Sequence, residues 1–414
     1  MKKTIPHISI RASLVFTLFL LLPALSISAI DFGLFADQTL GMEGVDSGSA
    51  SDGLNYSASL VPWLSSPLGS SPNAARLYLS AGLTLEYAKK NAIFIPELLR
   101  TELLFPIGTD KEIKIGRMRY ADPLGFIASG LFDGARFSYT SANSGTVGLG
   151  VWYTGLLYKK NTQITMTGKE LVSYNAKLDY ENFVDTYFAP RRLLFALDWD
   201  NPYLAEWFRF KTALIGQVDL SGDEKLHSEY LAIRAGMPVR NFVFDLGACL
   251  ELAQAAEQNK VSFAGELGIG WMLPTPVRDK LTLTGRFSNG KSNSNALAAF
   301  VPVTTENQGY ILKAKLSGLS TICLDYIARL HESFSLSLAS TYFIMNDSET
   351  YNGLPSGRAG PALGNEFYGR LIWSPLSDLR FNLGGGVFLP VMGNADSGGK
   401  ALWRVELNAV IVIF

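Results

Sequence analysis

The chain has 414 residues, room for one large domain or several ordinary ones, with 48% hydrophobic, 12% aromatic and 18% charged residues. Its charge content lies below the usual quarter, so its surface is not that of an ordinary soluble protein. A formal net charge of -1, with no basic tract, excludes nonspecific nucleic-acid binding.

The first segment has the form of an export signal. Lys2, Lys3 and Arg11 form a positive region, "LVFTLFLLLPALS" from Leu14 an apolar one, and Ser26, Ser28 and Ala29 offer small residues for cleavage. A retained membrane helix is the rival, but Pro23 interrupts the run and a different pattern opens at Asp31. Residues 1–29 are therefore expected to be removed, leaving 30–414 as one domain with a charge of -4. No later stretch approaches the roughly 20 apolar residues of a spanning helix. Cys249 and Cys323, far apart in sequence, form no disulfide framework and are expected as free thiols.

From Asp31 onward the dominant period is two. "RLYLSAGLTLEY" sets Leu77, Leu79, Ala81, Leu83 and Leu85 against Tyr78, Ser80, Gly82, Thr84 and Glu86, and "KLTLTGRFSNG" sets Leu281, Leu283 and Phe287 against Thr282, Thr284 and Arg286. Such alternation gives a strand one apolar and one polar face. Read in order, the strands are 31–40, 52–62, 74–87, 93–105, 112–119, 131–140, 145–155, 190–200, 206–218, 228–236, 240–253, 260–272, 279–288, 309–328, 333–345, 365–374, 378–388 and 400–414.

Many of these exceed the usual 5–6 residues of globular strands and match tilted membrane strands. A soluble sandwich also alternates, but it would not line its packed core with Ser, Thr, Arg and Glu. The connections fall into two alternating classes, short ones such as "SANSG", "MPVRN" and "SPLS", and long ones such as 156–189, 289–308, 346–364 and 389–399. The fold class predicted is all-β: a single transmembrane antiparallel β-barrel of about 18 strands (16–18) in the outer membrane of a diderm bacterium, with short turns on the periplasmic side.

Trp63, Trp199, Trp207, Trp271 and Trp373 all lie beside short turns and are expected to form an interfacial belt. The last stretch, "ALWRVELNAVIVIF", is an apolar strand ending in Phe414, resembling the terminal signal read by barrel-insertion machinery. Phe414 is out of phase with the Trp403–Ile413 apolar series, which implies either a bulge or a lumen-facing position at the rim. Outer-membrane lipid and that machinery are the expected partners, and the oligomeric state is open.

With the apolar phase facing lipid, the opposite phase lines the lumen. Its basic residues are Arg136, Arg209, Lys211, Arg234, Arg286, Lys313, Lys315, Arg370, Arg380 and Arg404; its acidic ones are Glu86, Asp198, Asp245, Glu251, Glu266, Asp325 and Glu406. The basic excess points to a weak preference for anions. The bland reading is a mixed wall whose charges largely pair.

The most distinctive stretch is "GRMRYADPLGFIASGLFDGARFSY", residues 116–139. An unbroken strand would point Arg117 and Arg119 at lipid, costing about 2–4 kcal/mol each at midplane and much less near the interface. A bulge at Gly116 would turn both inward, with Met118 and Tyr120 outward. The apolar loop "ADPLGFIASG" is expected to fold back and narrow the barrel, with Arg117, Arg119, Asp122, Asp133 and Arg136 as a charged channel constriction; a structural ion-pair cluster is the alternative.

The stretch resembles the alginate-export family of outer-membrane barrels through Gly116, Arg117, Asp122, Asp133, Gly134 and Arg136. The resemblance implies a similar strand number and an arginine-rich conduit for an anionic polysaccharide.

Nothing in the chain points to catalysis. Its three histidines, His7, His227 and His331, share no site in this topology, no cluster has zinc spacing, and "GELGIG" lies within a strand. The functional expectation is a non-enzyme without catalytic residues, metal or cofactor: a porin-like channel for small hydrophilic, possibly anionic, solutes. The alternatives are a substrate-specific transporter or exporter and a surface adhesin.

Overall fold

The computed structural model describes residues 30–46, 53–71, 73–88, 91–205, 207–221, 225–255, 258–291, 299–347, 360–396 and 398–414. The expected signal, 1–29, lies outside the described residues. The alternating segments form β1 (Asp31–Val45), β2 (Leu54–Pro67), β3 (Arg76–Ala88), β4 (Asn91–Ile107), β5 (Lys111–Ala121), β6 (Ser129–Ser141), β7 (Gly145–Tyr153), β8 (Arg192–Leu204) and β9 (Phe208–Asp219). The second half contributes β10 (Leu226–Val239), β11 (Phe242–Ala255), β12 (Gln258–Met272), β13 (Lys280–Ser288), β14 (Leu319–Ala328), β15 (Phe334–Met345), β16 (Ala362–Leu376), β17 (Leu379–Leu389) and β18 (Leu402–Ile413). Each pairs antiparallel with its sequence neighbours, and β18 pairs with β1, so one 18-stranded sheet closes on itself. Closure leaves no free sheet edge at the ends of the chain order.

The outer face follows from the same alternation. Leu149, Leu197, Leu214, Leu231, Leu250 and Phe263 lie opposite one another on successive strands β7 to β12. Each is 41–58% exposed. A continuous ring of half-exposed large apolar side chains suits lipid, since a soluble monomer rarely shows so large an apolar surface.

Toward the short turns the ring gives way to aromatic pairs. Trp199 packs on Phe210, Trp271 stacks on Phe242, and Trp373 sits between Phe334 and Phe381. Trp63 departs from the expected belt. It lies opposite Gly33 in the lumen-facing phase, stacks on Tyr78 and meets Phe414 edge-on. Phe414 thus takes the lumen side at the rim, and β18 needs no bulge, its register with β1 running unbroken from Leu402 to Ile413.

One strand is shorter than its sequence suggests. Residues 309–318 are not part of β14; they belong to a described loop segment, 299–318, that bends into the barrel. Three short helices occupy the connection 154–191: α1 (Lys159–Thr162), α2 (Gly168–Asn175) and α3 (Phe183–Tyr187). Among the described residues no helix is long and apolar enough to cross a membrane.

Candidate functional site

The interior narrows where three segments fold in: 122–128 between β5 and β6, 154–191 between β7 and β8, and 299–318 before β14. Their apolar residues, among them Leu124, Phe126, Ile127, Leu157, Ile164, Phe300, Val303 and Leu316, form one packed cluster with Met118, Tyr120, Phe132 and Trp152 from the wall. A water-exposed lumen would not hold such a cluster. It is a plug occupying the β5–β12 side of the barrel.

The first connection is organised by Asp122. One carboxylate oxygen accepts from the N–H of Leu124 and Gly125 at 2.8 and 2.9 Å, the other from Ile127 and Ala128 at 2.9 Å each. Four donors on one carboxylate hold the loop as a compact knuckle. Its Leu124 reaches across to β11, where a Cβ at Gly247 would lie 2.5 Å from a Leu124 methyl. A side chain at 247 would therefore push the Leu124 methyl aside.

The segment 299–318 is tied on both flanks. Thr304 donates its N–H to Ile127 O at 3.1 Å, and its hydroxyl accepts from Ser129 N–H at 2.9 Å. Buried Glu251 accepts from Val301 N–H at 2.9 Å, and Tyr230 donates to Val301 O at 2.6 Å. At the tip, Tyr310, Ile311 and Leu312 donate their N–H groups to Glu366 at 2.7, 3.0 and 2.9 Å. Tyr310 stacks on Tyr368 at 4.2 Å, with Arg370 close to both rings.

The connection 154–191 is held by Arg192, which is fully buried. It pairs with Glu170 of α2 at 2.7 Å and with Asp219 of β9 at 3.4 Å, and donates to Gln217 and Leu226 O.

The five residues expected as one charged constriction are not brought together. Gly116 does take φ +114°, but the register runs unbroken through it on both sides. Met118 and Tyr120 consequently point inward into the plug, the reverse of the expected bulge. Arg117 stays in the wall phase, pairs bidentately with Asp133 at 2.8 Å and donates to Leu98 O and Leu156 O. Arg119 is exposed, and Asp122 is consumed by its loop. Only Arg136 faces the lumen, where it makes two 2.7 Å bonds to Asp198.

Of the other basic positions, Arg209, Lys211, Arg234, Arg286, Arg370, Arg380 and Arg404 lie on the inward phase of their strands. Lys211 pairs with Asp200 at 2.6 Å, Arg234 with Asp245 at 3.4 Å and Glu266 at 3.7 Å, and Arg286 with Glu266 and with Glu306 at 3.6 Å. Glu406 lies 2.7 Å from Arg404 and 4.0 Å from Arg370. Among the described residues no carboxylate is within ion-pair reach of Arg209 or Arg380.

Lys313 and Lys315 are corrected from strand to loop. Lys315 donates to Thr165 at 2.9 Å, while Lys313, at φ +52°, reaches Glu43 of β1 at 3.2 Å. Both lysines line a cavity of about 580 Å³ between the loop, Met166, Leu171 and the upper ends of β16 and β17. The wall is thus mostly paired, with local basic excess.

Glu43, Asp200, Glu306 and Glu366 complete the charge pattern without having been picked out in the sequence. Asp200 and Glu366 were reachable, since each shares a phase with a lumen residue two positions away. Glu43 lies beyond the expected end of the first strand, and Glu306, in a loop, has no periodic signal. Among the described residues no group of His, Cys, Asp or Glu could hold a metal ion. Cys249 and Cys323 are free thiols.

No family model matches the chain, and no curated protein matches it in sequence. Solved structures do match its fold. Pseudomonas aeruginosa OccK9 (OpdG) is 10% identical with a TM-score of 0.64, covering 94% of this chain and 99% of that one. Pseudomonas aeruginosa OccK2 (OpdF) in complex with glucuronate is 11% identical with a TM-score of 0.62, covering 94% and 98%. Pseudomonas aeruginosa OpdK with vanillate is 9% identical with a TM-score of 0.62, covering 93% and 99%. The chain therefore has the fold of the 18-stranded Occ/Opd outer-membrane porins. The likeness runs to these porins and not specifically to the alginate-export family.

Proposed function

We propose that the chain is a porin-like channel of a diderm outer membrane, admitting small hydrophilic solutes with a preference for anions. The observation that carries this is a closed barrel, apolar outside, whose charged interior is narrowed by connections folded inward and fixed by buried carboxylates. Such a passage lowers the barrier a polar solute meets in lipid, and its selectivity is set by radius and charge at the narrowing.

The anion preference is supported by Arg209 and Arg380, which have no carboxylate within ion-pair reach among the described residues, and by the glucuronate and vanillate bound to the two structural neighbours. Passage of a polysaccharide, which the alginate-export resemblance would imply, is less compatible with a packed plug across half the lumen. Function as a non-enzyme agrees with a lumen whose charges pair structurally.

The test is single-channel recording of residues 30–414 refolded into a planar bilayer, with reversal potentials under a KCl gradient. Discrete openings with an anion-shifted reversal potential are expected. Silence from a folded, inserted barrel would overturn the channel reading and leave an adhesin.

A further inference from the structure

The ladder between β4 and β5 ends at Thr101–Arg117, only seven residue pairs above the turn. β4 nevertheless continues to Asn91, paired with β3 alone, and β5 continues to Ala121, paired with β6 alone. Seven pairs at ~3.3 Å per residue and ~40° tilt rise about 18 Å, less than the ~25 Å apolar band of such barrels. Leu98 and Phe94, 45% and 54% exposed above the last pair, show that the apolar outer face goes on past it. The wall therefore has a seam at lipid level that no main-chain pairing closes.

Unpaired backbone is not tolerated against lipid, and side chains take over here. Phe94, Pro96 and Leu98 point every second carbonyl at the open edge. Tyr180 donates to Phe94 O, Tyr187 to Pro96 O at 2.7 Å, and Arg117 to Leu98 O. Pro96 offers no N–H to be satisfied, as suits an edge position. Asn161 donates to Glu97, and Arg117 also holds Leu156 O. Behind them Tyr158, Phe183, Tyr187 and Phe188 pack on Ile93 and Ile95 of β4. The connection 154–191 thus stands in place of the missing ladder, as an aromatic plug.

A barrel wall closed by a full ladder opens only by breaking many bonds together. This seam is held by a few side-chain contacts, from the connection 154–191 and from Arg117 of β5. We propose that it is a lateral passage between the lumen and the outer leaflet, taken by amphipathic solutes with an aromatic or aliphatic body and closed at rest by the connection 154–191. The seam's inner lining fits that class: Tyr158, Phe183, Tyr187 and Phe188 present aromatic surface beside Ile93 and Ile95, with the polar groups of Glu97 and Arg117 at its edge. The proposal rests on the channel reading above.

The test uses the full barrel in vesicles with a lipopolysaccharide outer leaflet, in a C249A/C323S background. Glu97→Cys and Asn161→Cys are joined by a short bis-maleimide to tie the loop to β4. Two fluxes are followed: entry of pyrene-butanoate into the bilayer by excimer emission, and glucuronate uptake. The tie is expected to slow pyrene-butanoate entry about tenfold, as for a locked lid, and to leave glucuronate uptake within about twofold. Tyr180→Phe with Tyr187→Phe, which loosens the seam without cross-linking, is expected to speed pyrene-butanoate entry. Glucuronate uptake with pyrene-butanoate entry no faster than in protein-free vesicles, or unaffected by the tie, would overturn the lateral passage alone. Loss of both fluxes on cross-linking would overturn it too, showing that the loop gates the axial path. Absence of glucuronate uptake before cross-linking would instead count against the channel itself.

Discussion

The ammonium of Lys313 meets the carboxylate of Glu43 at 3.2 Å, joining the tip of an infolded loop, anchored on β16, to a strand three places further round the wall. Both side chains are more than one-third exposed, so the pair sits in the water of the passage and adds at most about 1 kcal/mol of stability. Its weight is electrostatic. Glu43→Gln leaves the lysine charge unopposed and is expected to move the reversal potential toward anions; Lys313→Met is expected to move it the other way. Unchanged potentials in both variants would place the pair outside the permeation path.

Arg136 reaches Asp198 by passing over β7 at Gly148, where a Cβ would lie 2.1 Å from the guanidinium. The pair is less than one-fifth exposed, and Asp198→Asn strips its charge assistance. A loss of about 1.5–3 kcal/mol is expected, the range for hydrogen bonds to charged groups. Urea unfolding in detergent micelles measures it. Gly148→Leu is expected to destabilise as well, by forcing the arginine off its partner. A Gly148→Leu barrel as stable as the parent would show that Arg136 has another resting place.

These contrasts show what the chain made legible. The alternation of Leu149, Leu197 and Leu214 with polar neighbours was readable because lipid demands apolar groups on one face of every strand. Residues 309–318 alternate equally well, with Tyr310, Leu312 and Leu316 in one phase, yet they face the plug and the cavity beside it. Periodicity records an apolar partner without saying whether it is lipid or protein. The same ambiguity inverted Met118 and Tyr120: the rule that apolar means outward fails wherever connections fill the lumen. Arg117 and Asp133 look like a pore motif in sequence, but they seal a wall, which depends on where the β4 ladder stops. That is a property of two strands together and is written in neither.

Glu366 is 1% exposed and accepts all three N–H groups at the loop tip. Glu366→Ala would leave those donors without their acceptor and free the segment carrying Lys313. A loss of about 2–4 kcal/mol is expected, more than one charged hydrogen bond but less than three added together. Single-channel records are expected to show greater conductance and more open-state noise, since the tip would no longer hold one position. A quieter or unchanged record, with stability lost, would mean that Tyr310 stacking on Tyr368 suffices to hold the tip.

Glu306 sets the expected response to acid. It lies in the segment 299–318, 54% exposed by side-chain area, but inside a barrel whose walls limit its hydration. That desolvation raises its pKa above the ordinary 4.5, against the lowering effect of Arg286 and with help from Glu266 and Asp122. A carboxyl so shifted takes up its proton earlier as pH falls. Once neutral, it no longer offsets Arg286, which keeps only Glu266, and the narrowing gains positive charge. The anion preference is therefore expected to rise on acidification, with the midpoint of the step above pH 4.5. Glu306→Gln is expected to show the raised preference already at neutral pH and to lose this step. Reversal potentials recorded from pH 7.5 to 4 in the parent and in Glu306→Gln decide it: the same step in both would assign the titration to a different carboxyl.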